Sequence, residues 1–336
     1  MQTTAAYLQA PWQFELRSVE LPDAPPPGEI LVRVDACGVC GTDLSAAISG
    51  AGGWQAFGHE VAGTILKVGH GVAHLKEGQS VALETSSFCG HCDLCRDGRV
   101  DLCNKGPNFW GRPAMGFSRH MLVPACCAVP YEGLTPDVAS LAEPAGVAFD
   151  MVKTAGLRLG DRVAVIGPGP IALMAIPMLL RSGAVEVTCI GRPHSGRRLE
   201  TARELGAEVM AVAGRPEELP ELQKRFDQVL VTAPVESIPG ALSLLAYGGV
   251  LTYIGIGTGD PKITFDANDF HFRKLQLRAS FASPAVYFPA VLDLLKRGIL
   301  PGPKLISHRF PLGEIAAAMT VSRDDKANTV KVVVVN

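Results

Sequence analysis

The strongest constraint on the fold is a series of apolar segments that alternate with helical patterns. Six strand candidates lie at 163–167, 186–190, 208–212, 228–232, 250–255 and 275–281. The residues between the first five are helical in pattern, most clearly at 195–205 and 238–246. Continuous apolar strands separated by helices are typical of a parallel sheet buried on both faces. We therefore predict an α/β fold with a doubly wound parallel sheet.

The first of these strands runs into a glycine-rich turn, GPGPIA. Gly167, Gly169 and Ala172 occupy the G-x-G-x-x-G/A positions, where a tight turn, close approach to a pyrophosphate and helix–strand packing each require a small residue. Pro170 and Ile171 suit the opening of a helix whose free N–H groups would face phosphates. A glycine-rich turn without a ligand is the alternative, but the strand, the helix and the alternation favour a dinucleotide site.

The choice of dinucleotide depends on the end of the second strand. NAD-binding proteins place Asp or Glu there to hold the ribose 2′-hydroxyl. This chain instead reads CIGRPHSGRR, with Arg192, Arg197 and Arg198 and no acid. Guanidinium groups suit a 2′-phosphate, so the sequence favours NADP over NAD. The alternative is that these arginines form the solvated start of a helix.

A second feature is the cysteine-rich segment at 88–104. Cys89, Cys92, Cys95 and Cys103 follow the spacing C-x2-C-x2-C-x7-C, which lets four thiolates converge on one tetrahedral ion. A bacterial iron–sulfur run would have a shorter last gap followed by Pro. We therefore predict a closed, structural zinc site that stabilises a loop and performs no chemistry.

Four further residues could form a catalytic metal site. Cys40 in GVCGTD and the pair His59 and Glu60 in FGHE lie upstream of the cysteines, and Glu143 lies in LAEP. A Cys, a His and a carboxylate can bind zinc and leave one position open for substrate. Taken singly, each residue also has a structural interpretation as a core thiol, a packed imidazole or a helix-start carboxylate.

Over nearly its whole length, the chain resembles the zinc-dependent medium-chain dehydrogenase/reductase family. The motifs that carry the resemblance are GVCGTD (38–43), GHEVAG (58–63), the cysteine segment (89–103), LAEP (141–144), VAVIGPGPIA (163–172) and GGVLTYIG (248–255). The resemblance implies a mostly β, GroES-like catalytic domain at 1–146 and 298–336 and a Rossmann domain at 147–297. It also implies two zinc ions per chain, with the catalytic one held by Cys40, His59 and either Glu60 or Glu143.

The resemblance extends to the reaction. Many alcohol dehydrogenases of the family have Cys where this chain has Glu143, and Glu there is similar to the polyol, sugar and threonine dehydrogenase branch. The expected reaction is hydride transfer between a polyol, sugar-like or cyclitol secondary alcohol and NAD(P), giving the ketone. Thr42 resembles the hydroxyl that relays the proton, and Asp43 the carboxylate that orients the ligand histidine.

Two departures from the family pattern concern the substrate side. Many relatives have His where this chain has Ser45, and a hydroxyl cannot act as a base near pH 7, so the proton relay is expected to end in water. The segment between Cys40 and His59 is short and rich in Gly and Ala. Trp54 or Phe57 is expected to line a reshaped pocket, unless Trp54 packs under the loop.

Composition excludes several other functions. A formal net charge of −2 argues against a surface that binds nucleic acid or an anionic membrane. No apolar run approaches the roughly 20 residues that are needed to span a bilayer. The opening residues show no basic region followed by an apolar core, so we read no signal peptide and expect a cytoplasmic enzyme. In that reducing compartment a dense cysteine cluster is expected to hold a metal. The family implies a homodimer or homotetramer, paired through the nucleotide-domain sheet edge near 250–255.

Two rival functions are a zinc-free NADPH-dependent quinone or enoyl reductase on the same fold and a non-catalytic binding protein. The metal-binding motifs argue against both. The other cysteines, Cys37, Cys126, Cys127 and Cys189, lack metal spacing and are interpreted as core residues.

Overall fold

The computed structural model describes residues 1–255 and 261–336, which divide into two compact units. The first unit contains Met1–Gly146, Ala282–Asp325 and Lys331–Asn336, and the second contains Val147–Phe281 and Lys326–Val330. In chain order the described strands are β1 (Gln2–Gln9), β2 (Gln13–Glu20), β3 (Glu29–Gly38), β4 (Gln55–Ala56), β5 (Glu60–Val68), β6 (Ser80–Leu83), β7 (His120–Pro124), β8 (Ala128–Pro130), β9 (Arg162–Ile166), β10 (Glu186–Gly191), β11 (Glu208–Ala211), β12 (Phe226–Val231), β13 (Leu245–Tyr253), β14 (Gln276–Ala279), β15 (Ile306–Pro311) and β16 (Lys331–Val335).

The α-helices of the described residues are mostly short. They are α1 (Gly41–Ser45), α2 (Asp93–Arg96), α3 (Pro136–Ala139), α4 (Ala142–Ala155), α5 (Pro170–Arg181), α6 (Gly196–Glu204), α7 (Ile238–Ala241), α8 (Ala267–Phe272), α9 (Phe288–Lys296), α10 (Gly302–Leu305) and α11 (Ile315–Asp324). Among these helices, none has both the length and the apolar character that a bilayer crossing requires.

The first unit is mostly β, as expected. A seven-stranded sheet has the order β15-β16-β3-β5-β6-β8, with β7 also paired to β3, and a three-stranded sheet has the order β2-β1-β4. Apolar residues of β3 and the aromatic rings of Phe57 and Phe117, 4.8 Å apart, lie in one buried core. Burial of this apolar surface supplies the main driving force for the unit to fold.

Strand register in this unit positions the candidate metal ligands. β3 and β5 are antiparallel and pair Gly38 with Glu60, so the turn after β3 lies beside the start of β5. β16 pairs with the other edge of β3, with Val333 opposite Gly38. Because β5 and β16 both pair with the carboxyl end of β3, residues distant in sequence converge there.

The second unit confirms the predicted doubly wound α/β fold. Six parallel strands have the order β11-β10-β9-β12-β13-β14, and all six match strands predicted from the sequence. The chain leaves β9 toward β10 on one side and returns to β12 on the other. The carboxyl end of β9 is therefore the topological switch point, where open α/β sheets bind ligands.

The unit boundary differs from the predicted one at 282–297. These residues were assigned to the dinucleotide-binding domain, but the structure groups them with the first unit. The Ser283 and Ser86 hydroxyls lie 2.6 Å apart, and the Ala285 N–H donates to the Ser86 carbonyl. These contacts attach the segment before α9 to the first unit.

The sheet edge also differs from the expectation. β13 contains most of the segment 250–255 and pairs with β12 on one side and β14 on the other. It is an interior strand, and the position beyond it belongs to β14. On this side the edge strand of the sheet is therefore β14 rather than β13, and the pairing of subunits through a sheet edge stays a prediction.

Candidate active site

The candidate metal site begins at Cys40, between β3 and α1. Cys40 has an extended backbone (φ −99°, ψ 156°) and is the N-cap of α1. Its N–H donates to Asp43 Oδ2 at 2.9 Å, and the Asp43 N–H donates to the Cys40 carbonyl at 3.2 Å. This reciprocal cap fixes the short helix and directs the Cys40 side chain toward the start of β5.

Glu60 is the first residue of β5 and His59 immediately precedes it. Both side chains are buried. Gly58, just before them, has φ +90°, and a Cβ there would lie 2.6 Å from the Phe117 ring, so only glycine allows this approach. The chain therefore turns tightly onto the core before it presents the imidazole and the carboxylate.

One ligand atom from each of Cys40, His59 and Glu60 lies within 4.8 Å of the other two. The His59 and Glu60 side chains are buried. Together with Cys40 they offer a thiolate, an imidazole and a carboxylate, which are zinc ligands. These residues therefore fit a zinc ion.

Asp43 is the carboxylate that faces the imidazole. Its Oδ1 lies 3.7 Å from Nδ1 of His59, a distance longer than a hydrogen bond. Because Nδ1 faces Asp43, the other ring nitrogen, Nε2, is the one that can face a metal. Burial opposes a charged imidazole, but the Cys40 thiolate and the Asp43 and Glu143 carboxylates outweigh it and raise the pKa of His59 well above its ordinary value. The pocket has excess negative charge, which favours a cation.

Glu143, in the first turn of α4, is near this group but not in the same cluster. Burial, with a smaller contribution from the Glu60 charge, raises the pKa of Glu143 to about 7, while His59 opposes the rise. The structure thus places both candidate carboxylates near the imidazole and brings Glu60 together with Cys40 and His59.

Lys331 is a site residue that the sequence analysis missed. It begins β16, is buried, and its Nζ forms an ion pair with the Glu60 carboxylate and donates to the Val39 carbonyl at 2.9 Å. A Cβ on Gly38 would lie 1.9 Å from Glu60 Oε2, so Gly38 leaves room for this pair. A single lysine at the start of the apolar run KVVVV was the available signal, because a charge in a buried strand requires a partner.

Two predicted relay residues occupy different environments. Thr42 is exposed in α1, where its hydroxyl can exchange protons with solvent. The Ser45 hydroxyl donates to the Gly41 carbonyl at 3.1 Å. Ser45 is thus engaged with the helix backbone, which agrees with a relay that ends in water.

The aromatic residue beside the imidazole is Trp110. Its ring centroid lies 5.0 Å from that of His59, and the residue is 52% exposed. Trp54 instead packs its ring against the Arg17 guanidinium at 4.9 Å, and Phe57 is buried in the core. Of these three rings, Trp110 is the one that contacts a candidate ligand.

The four predicted structural ligands also converge. One sulfur from each of Cys89, Cys92, Cys95 and Cys103 lies within 4.8 Å of the other three, and the Cys92 and Cys95 sulfurs are 3.5 Å apart. Backbone N–H groups of Cys89 and Cys92 point at cysteine sulfurs, each at 3.4 Å. Such donors stabilise thiolates, and all four thiols are free, so the group fits a structural zinc ion.

The glycine-rich turn lies at the switch point after β9. Gly167 has φ +93°, and Gly169 is the N-cap of α5 with Pro170 at its first position. A Cβ on Gly169 would meet nothing within 4 Å, which leaves open space in front of the first-turn N–H groups, including those of Ile171 and Ala172. Those groups have no intrahelical acceptor, so the turn fits a pyrophosphate.

The three arginines after β10 are not equivalent. Arg192 Nη1 donates to the carbonyls of Ala213 and Gly214. Arg197 pairs with Glu200 at 2.8 Å, and the Arg198 Nε donates to the Thr329 carbonyl at 2.7 Å, where burial lowers the pKa of its guanidinium. Arg198 is thus used in packing rather than facing a ligand.

Comparisons with known proteins agree with this geometry. Residues 26–137 match the model of the alcohol dehydrogenase GroES-like domain, and residues 170–297 match that of the zinc-binding dehydrogenases. The chain is 29% identical to L-galactonate-5-dehydrogenase of Escherichia coli (strain K12), over 94% of this chain and 93% of the relative. It is 32% identical to D-altritol 5-dehydrogenase of Agrobacterium fabrum, over 93% and 94% respectively.

Solved structures show the same fold. A structure described as a short chain alcohol dehydrogenase from E. coli CFT073, in complex with NADH, superposes with a TM-score of 0.89 at 27% identity, over 100% of this chain and 99% of the other. A putative zinc-binding dehydrogenase from Sinorhizobium meliloti 1021, bound to NADP, has a TM-score of 0.88 at 27% identity, over 100% of both chains.

Proposed function

We propose a substrate and a set of residue roles from one premise: this chain belongs to the zinc-dependent medium-chain dehydrogenase/reductase family and is an oxidoreductase. Its substrate in this proposal is a polyol, sugar-like or cyclitol secondary alcohol, which it converts to the ketone with NAD(P). The observation that carries the proposal is the convergence of Cys40, His59 and Glu60. The names of the relatives, which are dehydrogenases of L-galactonate and D-altritol, support this substrate class.

In this proposal Cys40, His59 and Glu60 hold the catalytic zinc, and Glu143 is the neighbouring carboxylate that can replace Glu60. When bound, zinc supplies Lewis acidity toward the alcohol oxygen and the nicotinamide supplies the hydride acceptor. Asp43 keeps the imidazole oriented, a role that ligand histidines generally require. Lys331 balances the charge of Glu60 through their ion pair.

The alcohol proton leaves through Thr42. Its hydroxyl is both donor and acceptor and is exposed, so it can accept a proton from the substrate and pass one to solvent. Ser45 takes no part, because its hydroxyl donates to Gly41. The relay therefore consists of one side chain and water.

The second zinc in the proposal is structural. Cys89, Cys92, Cys95 and Cys103 supply four thiolates and leave no open position. Its expected effect is on the stability of the segment 88–104 rather than on the reaction.

We further propose that the cofactor is NADP in preference to NAD, and Arg192 is the principal candidate for the 2′-phosphate. No acid occurs in the segment 191–198 after β10, and a guanidinium binds phosphate bidentately. Arg197 is a second candidate. A homodimer or homotetramer and a cytoplasmic location complete the proposal.

The test of the metal site is the substitution Cys40→Ser. The control is Cys189→Ala, which removes a thiol from the core of the second unit and from neither proposed metal site. Elemental analysis of zinc-replete protein should fall from two zinc ions to one per chain in Cys40→Ser only. The ratio kcat/KM on a polyol should fall at least about 10³-fold, equivalent to about 4 kcal/mol, with an unchanged circular dichroism spectrum.

Undiminished turnover by Cys40→Ser would contradict the proposed mechanism. Wild-type protein that is fully active without zinc would instead favour the zinc-free reductase. A screen of polyols, sugar-like alcohols and cyclitols with both cofactors identifies the substrate.

A further inference from the structure

The consecutive cysteines Cys126 and Cys127 differ sharply in exposure. Both were interpreted as core residues, but only Cys127 is buried, at 0% exposed, whereas Cys126 is exposed. They form a single 3₁₀ turn, Ala125–Cys127, between β7 and β8. Neither belongs to the two metal-binding groups found among the described residues.

The surroundings hold Cys127 in place beneath the surface. Its sulfur lies 3.7 Å from the Pro107 carbonyl oxygen, and its own carbonyl accepts the Glu84 N–H at 2.7 Å. The Glu84 side chain is itself buried. The exposed thiol therefore has a buried thiol beside it and a buried carboxyl close by.

The neighbouring thiol favours a reactive outer sulfur. A hydrogen bond from the Cys127 thiol lowers the pKa of Cys126 to about 7, although partial burial opposes this. Cys127 itself has a raised pKa, because it donates that hydrogen bond and is buried. Near neutral pH the exposed sulfur is thus partly thiolate, the nucleophilic form, while the inner one remains a thiol.

We propose that Cys126 and Cys127 form an oxidisable thiol pair, in which Cys126 is the site that reacts with hydroperoxides and Cys127 resolves the product. The inference rests on the exposure of Cys126 and on its position next to the buried Cys127 in one 3₁₀ turn, and it is independent of the proposed dehydrogenase function. Its co-reactant is a small hydroperoxide, with hydrogen peroxide as the probe.

The chemistry takes two steps. The Cys126 thiolate attacks one peroxide oxygen, the O–O bond breaks, and the leaving oxygen takes a proton to give water or an alcohol. The sulfur, oxidised by two electrons, is now a sulfenic acid. The Cys127 thiol then attacks that sulfur, an S–S bond forms, and the hydroxyl leaves as water with the Cys127 proton.

The bond formed is expected to be reversible. Consecutive Cα atoms lie about 3.8 Å apart, less than the roughly 4.4–6.8 Å usual for a disulfide. A strained disulfide is reduced more easily than a structural one. The pair is therefore suited to reversible oxidation rather than to stabilising the fold.

The test treats zinc-replete, full-length protein with hydrogen peroxide and maps the peptide containing 126–127 by mass spectrometry. The wild-type peptide should lose two hydrogen masses and regain them with dithiothreitol. With dimedone present, Cys127→Ser should show an adduct on Cys126, because its sulfenic acid has no resolving thiol. Cys126→Ser should leave Cys127 unmodified.

Two measurements on wild-type protein make the outcome independent of how the variants fold. Iodoacetamide should label Cys126 at least about tenfold faster than Cys127 or Cys189, because exposure and thiolate character govern reactivity. A chromogenic chelator should detect no zinc release during oxidation of the pair. Equal labelling of the three thiols, a first adduct on Cys127, or zinc release at the same rate as oxidation would overturn the proposal.

Discussion

Lys331 and Glu60 form a buried ion pair between the first residue of β16 and the first residue of β5. The lysine is 3% exposed and the glutamate 1%. Removing one member of such a pair leaves an uncompensated buried charge, which costs far more than the pair itself contributes.

Lys331→Met should therefore lower the free energy of unfolding by about 3–5 kcal/mol in zinc-free protein, measured by urea denaturation. The double variant Lys331→Met with Glu60→Gln should recover part of that loss, because the carboxylate is removed as well. The matched control is Arg309→Met, which breaks the half-exposed pair with Asp137 and should cost about 1 kcal/mol or less. Equal losses for the two single variants would contradict the assignment.

Gly38 should be required for the same pair. A Cβ at Gly38 would lie 1.9 Å from Glu60 Oε2 and 3.0 Å from Lys331 Cε, whereas a Cβ at nearby Gly41 would meet nothing within 4 Å. Gly38→Ala should displace the carboxylate and lower both zinc content and kcat, by about tenfold or more for kcat. Gly41→Ala should leave both within about twofold, and a similar effect of the two substitutions would count against this geometry.

The buried Glu84 should make stability depend on pH. Burial raises the pKa of its carboxyl from 4.5 to about 8. The unfolded chain therefore ionises first, so the stability present below pH 4.5 is lost progressively as the pH rises to about 8. Glu84→Gln should be more stable than wild type at pH 8, by on the order of 3 kcal/mol, and the gain should shrink toward pH 5. Thermal unfolding at several pH values measures it, and a pH-independent difference would refute it.

Trp110 should contribute to substrate binding rather than to the chemical step. Its half-exposed ring beside His59 presents an apolar surface to the carbon skeleton of a bound polyol. Trp110→Ala should raise the KM for the polyol about tenfold, equivalent to about 1.4 kcal/mol, with kcat within about threefold. Trp54→Ala removes a ring that packs on Arg17 and should leave KM unchanged. If Trp54→Ala has the larger effect, the original expectation for Trp54 is the better one.

Arg192 should discriminate between the two dinucleotides. If it binds the 2′-phosphate, Arg192→Ala should raise the KM for NADPH at least about tenfold and leave that for NADH nearly unchanged, because a charge-assisted phosphate contact contributes about 1.5–3 kcal/mol. Arg197→Ala, which breaks a surface pair with Glu200, is the matched comparison. If Arg192→Ala changes the KM for NADPH and the KM for NADH equally, Arg192 does not bind the 2′-phosphate.

The features that the sequence predicted are those whose signals are local. The parallel sheet was predictable because buried strands are continuous apolar runs, and the cysteine group because its four thiols lie within one short segment. The proximity of Cys40 to His59 and Glu60 was expected only through family resemblance. In the structure it follows from the antiparallel register of β3 and β5.

The features that the sequence did not predict depend on contacts between distant residues. Lys331 and Glu60 are separated by 271 residues in the sequence. A lysine in an apolar strand indicates that a partner is required but does not identify that partner. Arg198 is not available to a phosphate, because its Nε donates a hydrogen bond to the carbonyl of Thr329, which is distant in sequence. The exposure of Cys126 depends on a single 3₁₀ turn, and residue type alone favoured burial.

The position of Lys331 also has a consequence for biosynthesis. Glu60 leaves the ribosome long before the lysine that pairs with it, so the carboxylate of a nascent chain must stay hydrated until β16 is added beside β3. The first unit should therefore reach its native state late in translation, and chains released before residue 331 should be substrates for quality-control proteases.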